Sequence, residues 1–314
     1  MKRYTQFLMV IFTIILLQSC TKDEAPLTPS GLSEAYSLPQ GNNAFDQTIM
    51  GYHQSYGTYM LYKFTDKDVY WSPTANSKPV MSAVGTWSTG ADVAVADPTY
   101  IPAQLDLIKK KWFNFYTDKF LKKFLPAKIM LCSKIDSVST GFVFGGSTIT
   151  YVKNVKKVAA YYNYDNIEVN YGDASVATLT KQDSLGFVAR INLVFIQSII
   201  ARGLSTPTSE FINSADYTTA MTTTTQAYGK GIIISPFSVT VQADWNAYIT
   251  AMVSFSEANL NKSTVITDGT AQGILNPTKD TTGQIRKRYN MVRNYFINEY
   301  QVDLQKIGNA SKGV

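Results

Sequence analysis

The order of hydrophobic and polar positions along the chain predicts both helices and strands. Residues 184–200 are apolar on almost every side, which is typical of a helix buried at the centre of a domain. The remaining periodic segments are shorter, and their spacing separates strands from amphipathic helices. Strand patterns lie at 59–64, 129–132, 141–151 and 158–171, and helix patterns lie at 45–56, 97–116, 245–260 and from 281 onward. Turn-forming residues predict loops at 66–90 and 205–242. The whole pattern predicts an α+β fold in which a mixed β-sheet packs on the buried central helix, with further helices around it.

The N-terminus has the order of a lipoprotein signal peptide. A basic start precedes an apolar run at 7–17, and Cys20 follows shortly afterwards. The run is too short to span a hydrocarbon core of ~30 Å as a helix, so we predict that residues 1–19 are removed. Cys20 then carries the lipid, and residues 20–41 form a flexible tether with Pro and Gly. Residues 42–314 form the predicted single domain.

Acidic residues close to the lipidated cysteine predict where the protein resides. Cys20 followed by Asp23 and Glu24 resembles the surface-export signal of Bacteroidetes lipoproteins. The resemblance implies an outer-membrane lipoprotein that faces outward from the cell. Stable anchoring takes more than one acyl chain, so the anchor is expected to carry several.

Charge and residue counts exclude two classes of function. The formal net charge is +6 over 314 residues, and the basic residues do not cluster with aromatic ones as they do in nucleic-acid-binding proteins. The chain has one histidine, His53, and apart from Cys20 one cysteine, Cys132. A catalytic zinc site takes three protein ligands, often two or three of them histidines. We therefore predict no nucleic-acid partner, no metal ion and no other cofactor.

Four segments, taken in order, resemble those of a known family. They are an aromatic strand at 56–64, a helix and a strand at 105–131, an apolar segment at 231–238 and a terminal helix at 288–304. The chain resembles the Bacteroidetes lipoproteins described as substrate import-associated zinc metallohydrolases, over about residues 42–307. The resemblance implies a zincin-like α+β fold, and in the family it implies a catalytic zinc ion.

The family's catalytic signature is incomplete in this chain. The family has a His-Glu-x-x-His helix, in which the histidines bind zinc and the glutamate activates water, followed by a Pro-x-Glu-Phe-like segment. Residues 207–211 resemble that second part and include Glu210. Counting back, Val194 and Phe195 stand at the positions of the first histidine and the glutamate, and Ser198 stands at that of the second histidine. The resemblance therefore implies that the metal ligands and the general base are lost.

A later motif of the family is half retained. The family's Asp-Phe-x-Glu pattern falls on residues 244–247, where Asp244 is kept and Ala247 stands at the glutamate position. The resemblance implies that the former active-site cleft lies near Glu210, Asp244 and Trp245.

The leading prediction is a catalytically inactive metallohydrolase homologue that acts by binding. It would be attached to the membrane by its lipid anchor and would bind a glycan or a peptide at the former cleft. Its expected place is nutrient import, beside an outer-membrane importer and the lipoprotein of that importer.

Two alternatives remain open. In one, the protein is an active hydrolase or peptidase that uses other residues, Glu210 and Asp244. In the other, it is an aromatic-rich carbohydrate- or peptide-binding module. That module would bind its ligand at the loop of residues 66–90, which contains Trp71 and Trp87.

Overall fold

A computed structural model of the chain describes residues 36–74, 78–146 and 148–314. The predicted signal peptide, Cys20 and the first part of the predicted tether lie outside the described residues. Leu38–Val314 form one compact unit. Every buried residue of the described chain lies within that unit.

Six strands and eleven α-helices occur in the described residues, which confirms the α+β class. The strands are β1 (Tyr59–Leu61), β2 (Gly90–Val95), β3 (Lys128–Gly145), β4 (Thr148–Lys157), β5 (Ala160–Asn163) and β6 (Asn166–Val169). The helices are α1 (Ala44–Tyr56), α2 (Asp66–Tyr70), α3 (Ile101–Lys111), α4 (Asp118–Phe124), α5 (Lys181–Ala201), α6 (Ser209–Asn213), α7 (Thr224–Gly229), α8 (Val241–Ser254), α9 (Glu257–Asn261), α10 (Gln284–Tyr300) and α11 (Leu304–Ala310).

The long strand β3 organises the sheet. Its first residues pair in parallel with β1 on one side and with β6 on the other, and β6 pairs antiparallel with β5. Its later residues pair antiparallel with β2 and β4. Parallel and antiparallel pairs therefore occur in one six-stranded sheet, as the sequence pattern predicts. β3 and β4 continue together beyond the end of β2 as a two-stranded hairpin.

The helix α5 is the predicted central helix, and it packs against β5, β6 and α8. It begins at Lys181, before the apolar run, because Thr180 caps it. The Thr180 hydroxyl accepts from the Asp183 N–H at 3.1 Å, and the Asp183 carboxylate accepts from the Thr180 N–H at 3.0 Å. Gly203 follows the end of the helix with a φ of 68°, a conformation that suits a helix end. Nine residues of α5 are buried, so the prediction of a buried helix is confirmed.

Among the residues that the structure describes, α5 is also the one helix long and apolar enough to cross a membrane. Its most apolar stretch has a mean hydropathy of 1.6, and half of that stretch is buried against the rest of the protein. A central helix of a globular domain has the same length and composition, so these two properties are weak grounds for a membrane span.

Both regions predicted as loops contain short helices. The helix α2 lies within residues 66–90, and α6 and α7 lie within residues 205–242. Each of the three follows a threonine at its N-cap position. Helices of one or two turns are too short to show the 3.6-residue period, which is why the hydrophobic pattern does not predict them.

Candidate functional site

The positions that the sequence resemblance assigns to a metal-binding helix lie inside the hydrophobic core. Val194 and Phe195 are buried on α5. The Phe195 ring packs edge-to-face against Trp112, Tyr116 and Phe120, with ring centroids 5.3, 5.1 and 6.0 Å away. Such aromatic pairs stabilise a core beyond the effect of burial alone. An aromatic cluster therefore surrounds the position at which the family has its glutamate.

Ser198 is also buried, and its hydroxyl is already engaged. Its Oγ donates to the Phe195 carbonyl oxygen at 2.7 Å and accepts from the Arg202 guanidinium at 3.3 Å. The same guanidinium donates to the carbonyl oxygens of Phe124 and Leu125, the latter at 3.1 Å. Ser198 and Arg202 thus join the end of α5 to the end of α4.

The donor atoms at these positions do not fit zinc. Valine and phenylalanine side chains have no lone pair to donate, and Ser198 Oγ is hydrogen-bonded within its own helix. Zinc sites in proteins use thiolate, imidazole and carboxylate ligands. Within residues 36–74, 78–146 and 148–314, no group of three or more His, Cys, Asp or Glu is placed to hold a metal ion. Val194, Phe195 and Ser198 therefore supply no ligand set for a zinc ion.

Asp244 forms a buried ion pair between two helices. Its carboxylate on α8 accepts from Arg288 Nη2 on α10 at 2.8 Å, and both side chains are fully buried. The Tyr217 hydroxyl and the Ile233 N–H each donate to the same carboxylate at 2.8 Å. Burial raises the pKa of Tyr217, so this hydroxyl remains a donor at neutral pH. Asp244 is surrounded by donors and has no open face for a substrate.

The Arg288 guanidinium is held from several sides. It donates to the Phe211 carbonyl oxygen at 3.0 Å and to the hydroxyls of Ser214 and Tyr217. It also stacks 3.7 Å from the centre of the Phe211 ring. The pair of Asp244 and Arg288 therefore ties α8 and α10 to the segment around α6. Ala247, which the sequence resemblance places at a glutamate position, is half-buried on α8 and adds no polar group.

Glu210 lies on an open cleft between the start of α6 and one face of α10. The cleft has a volume of about 460 Å³, which is within the range of small-ligand sites. It is lined by Thr208, Glu210, Lys287, Asn290, Met291, Asn294, Tyr295 and Asn298. All of these except Met291 carry a polar group, so the cleft suits a ligand that forms many hydrogen bonds. We call it the amide cleft.

Three asparagines form a row along the amide cleft. Asn290, Asn294 and Asn298 are four residues apart on α10, so they share one helix face at intervals of about 6 Å along its axis. All three are exposed, and within the described residues none of their side-chain amides has a hydrogen-bond partner. Glu210 and Lys287 likewise have no ion-pair partner in the described part of the chain. Five polar side chains are therefore available to a ligand.

Of the three residues expected in the cleft, Glu210 alone lines it. Trp245 is buried behind the cleft wall, with its ring 5.5 Å from that of Tyr295 and its Nε1 donating to Ser205 Oγ at 2.9 Å. Asp244 is buried in the ion pair with Arg288. The structure therefore does not bring Glu210 and Asp244 together as exposed carboxylates of one site.

The loop with two tryptophans presents one exposed indole. Trp71 is 47% exposed and lies edge-to-face with Tyr164 at 5.4 Å. Trp87 is half-buried, and Lys153 Nζ lies 4.5 Å from its ring centre. Of the two rings, Trp71 is the one available to a ligand.

Sequence reasoning does not single out one buried carboxyl group. Glu168 on β6 is 1% exposed, and its Oε2 has no hydrogen-bond partner among the described side chains and backbone. Burial raises the pKa of Glu168 from 4.5 to about 8. Burial, and then the Glu168 charge, raise the pKa of the Cys132 thiol. All four residues of β6 are buried, so strand alternation does not mark Glu168 as either a core or a surface position.

No protein-family model matches the chain, and no curated protein matches it. Among solved structures, the chain is similar to a Bacteroides caccae protein, known from a crystal structure at 2.10 Å resolution and provisionally assigned as a zinc-binding metallo-peptidase. The two structures superpose with a TM-score of 0.43 and 13% sequence identity, over 85% of this chain and 90% of the other. The assignment of the α+β class and the description of the amide cleft follow from the structure of this chain itself.

Proposed function

We propose that the protein is a lipid-anchored glycan-binding protein of the outer membrane and that the amide cleft is its ligand site. The observation that carries the proposal is the row of three unpaired asparagines on an open cleft. In this proposal the protein is a catalytically inactive relative of the zinc metallohydrolases. That part rests on the sequence resemblance and on the donor chemistry of Val194, Phe195 and Ser198.

The side chains of the amide cleft match the chemistry of sugar hydroxyls. Each asparagine amide offers two donor hydrogens and an acceptor oxygen, so it can bind neighbouring hydroxyl groups. Tyr295 is partly exposed and offers an aromatic face to the apolar side of a sugar ring. The asparagine row repeats about every 6 Å, on the scale of one monosaccharide, which favours a chain of sugars over a single small molecule.

The anchor and the partners in this proposal come from the sequence. Cys20 would carry the lipid, and Asp23 and Glu24 support an outward-facing position. A glycan receptor on the cell surface needs a route for its ligand through the membrane. We therefore place the protein beside an outer-membrane importer and the lipoprotein of that importer. Genes for these two partners next to the gene for this protein would support that placement.

Replacing Asn294 or Asn298 by alanine is expected to weaken glycan binding by about tenfold in each case. Each change removes one or two hydrogen bonds that contribute roughly 1 kcal/mol apiece. The measurement is isothermal titration calorimetry with an oligosaccharide selected on a glycan array with the unchanged protein. Asn154→Ala is the matched control, because Asn154 is exposed on β4 and does not line the cleft. Binding that survives both cleft changes but disappears in Trp71→Ala would place the ligand at the tryptophan loop and contradict the proposal.

The purified protein is expected to retain no stoichiometric zinc after dialysis. The reason is that Val194, Phe195 and the engaged hydroxyl of Ser198 supply no ligand set for the ion. Elemental analysis by mass spectrometry measures the metal content directly, and Ser198→Ala is expected to leave it unchanged. One tightly held zinc ion per chain would overturn the loss of the metal site.

A further inference from the structure

β3 and β4 extend beyond the end of β2 as a hairpin, residues 139–154, which we call the arm. Val138 is the last residue of β3 that pairs with β2. Beyond it, β3 pairs with β4 as far as Gly145, which lies opposite Thr148. Gly146 in the turn has a φ of 63°, a left-handed conformation that favours glycine. Every residue of β4 is exposed.

The end of the arm carries an apolar face. Phe144 lies opposite Ile149, and Phe142 lies opposite Tyr151. Because strand positions two residues apart share a face, these four side chains point the same way. The rings of Phe142 and Tyr151 contact each other edge-to-face at 5.7 Å. All four side chains are exposed, and Phe144 is 75% exposed. An apolar patch of this kind on a projecting element marks a binding surface.

A basic band follows the apolar end. Lys153 comes two residues after Tyr151 on β4 and lies over the Trp87 ring. Lys156 and Lys157 follow at the base of the arm, where they lie opposite Ser137 and Asp136 of β3. Residues 139–157 contain no Asp or Glu. In the described part of the chain, none of these three lysines forms an ion pair. At about 3.3 Å per residue, Tyr151 lies roughly 10 Å from the start of β4 and Lys153 roughly 17 Å from it.

This order of side chains fits the interface of an anionic membrane. Interfacial protein segments bury their apolar face about 5–10 Å into the boundary between headgroups and acyl chains. That depth matches the length of the apolar end of the arm. Tyrosine is favoured at the headgroup level, where its ring is buried among the lipids and its hydroxyl group is hydrated. Lysine side chains just outside that level reach the lipid phosphates.

Two other occupants fit the arm less well. A second copy that paired in parallel along the open edge of β4 would bring two rows of lysines together, and like charges on neighbouring strands repel. A stable protein interface takes about 20–30 residues from each partner. Four apolar side chains on a two-stranded tip supply far fewer than that.

We propose that the arm is a membrane-docking element. Its apolar end, Phe142, Phe144, Ile149 and Tyr151, enters a bilayer that carries anionic headgroups, and Lys153 binds those headgroups. Together with the tether, the arm would be a second contact that sets the orientation of the domain on the membrane. The docking does not depend on the glycan proposal, nor on acylation of Cys20.

The test uses Leu38–Val314, which form a compact unit with the whole described core and lack Cys20. This protein is expected to float with vesicles of phosphatidylcholine containing one-quarter phosphatidylglycerol, and to bind pure phosphatidylcholine vesicles more weakly. Phe144→Ser combined with Ile149→Ser is expected to lower the affinity more than tenfold, because two large apolar side chains lose their burial. Lys153→Gln is expected to lower it about fivefold, on the anionic vesicles only. Lys156→Gln is expected to lower it less, because Lys156 lies at the base of the arm, opposite Ser137.

Phe237→Ser is the matched control, because Phe237 is 80% exposed and lies outside the arm, and it is expected to leave vesicle binding unchanged. A polarity-sensitive fluorophore on Thr148→Cys is expected to shift to the blue on anionic vesicles, since Cys132 is buried and leaves position 148 as the reactive thiol. Circular dichroism checks that each variant is folded. The proposal is overturned if the protein does not float with anionic vesicles, if the tip changes leave binding intact, or if the tip drives dimer formation in sedimentation without vesicle binding.

Discussion

Asp244→Ala is expected to lower the free energy of unfolding by about 3–5 kcal/mol. The change leaves the Arg288 guanidinium buried without its carboxylate, and it removes the acceptor of the Tyr217 hydroxyl and the Ile233 N–H. A buried charge without a partner keeps its full desolvation cost, which is why the effect is large. Urea denaturation followed by tryptophan fluorescence measures it, with the midpoint compared at one pH.

Two further variants make the Asp244 result specific. Asp106→Ala removes an exposed ion pair with Lys110, 2.7 Å apart on α3, and is expected to cost less than about 0.5 kcal/mol. Asp244→Asn keeps the shape and an acceptor, so it is expected to cost less than Asp244→Ala. If Asp244→Ala and Asp106→Ala unfold at the same urea concentration, the prediction that the buried Asp244 carboxylate stabilises the fold is wrong.

The role of Asp244 also bears on the alternative of an active hydrolase. A loss of activity in Asp244→Ala would follow from the loss of the fold, because this carboxylate is buried and bound to Arg288. Glu210 is exposed on the amide cleft, so Glu210→Gln changes the site without disturbing the core. Glu210→Gln is therefore the variant that separates catalysis from binding.

Glu168→Gln is expected to stabilise the protein at alkaline pH, with a gain that grows between about pH 4.5 and pH 8. The pKa of Glu168 is raised from 4.5 to about 8 by burial, so in this range the unfolded chain ionises while the folded protein keeps the proton. The folded state then loses stability as the pH rises. Above pH 8 the full cost, on the order of 5 kcal/mol, is present, and below pH 4.5 it vanishes. Glutamine has nearly the same shape and does not ionise.

The measurement is the difference in unfolding free energy between the unchanged protein and Glu168→Gln at pH 5 and at pH 9. We expect a small difference at pH 5 and several kcal/mol in favour of the variant at pH 9. Glu210→Gln serves as the exposed control, with a difference that hardly changes with pH. If the difference in unfolding free energy is equal at the two pH values, the prediction that Glu168 stays protonated in the folded state is wrong.

The longest periodic segments of the sequence predict the fold well. The apolar run at 184–200 becomes α5, and the aromatic alternation at 158–171 becomes the hairpin of β5 and β6. Long segments succeed because the burial of a whole face outweighs local preferences. The helices α2, α6 and α7 are not predicted, because each spans one or two turns and depends on a capping threonine.

The sequence pattern predicts only part of the candidate site. The spacing of Asn290, Asn294 and Asn298 is visible in the sequence, and a search for polar residues four apart would have found the row. That the row faces a cleft with Glu210 depends on the packing of α6 beside α10. The segment 141–151 has the apolar alternation of a core hairpin, yet the structure leaves much of it exposed because the hairpin extends beyond the end of β2.

By itself, the sequence determined the type of the longer elements and the buried central helix, because those depend on periodicity. Tertiary structure alone decided that Asp244 pairs with Arg288 in the core, that Glu168 is buried, and that the apolar end of the arm is exposed. Burial and pairing arise between segments far apart in the chain. A local pattern carries the type of each side chain but not the identity of its neighbours in space.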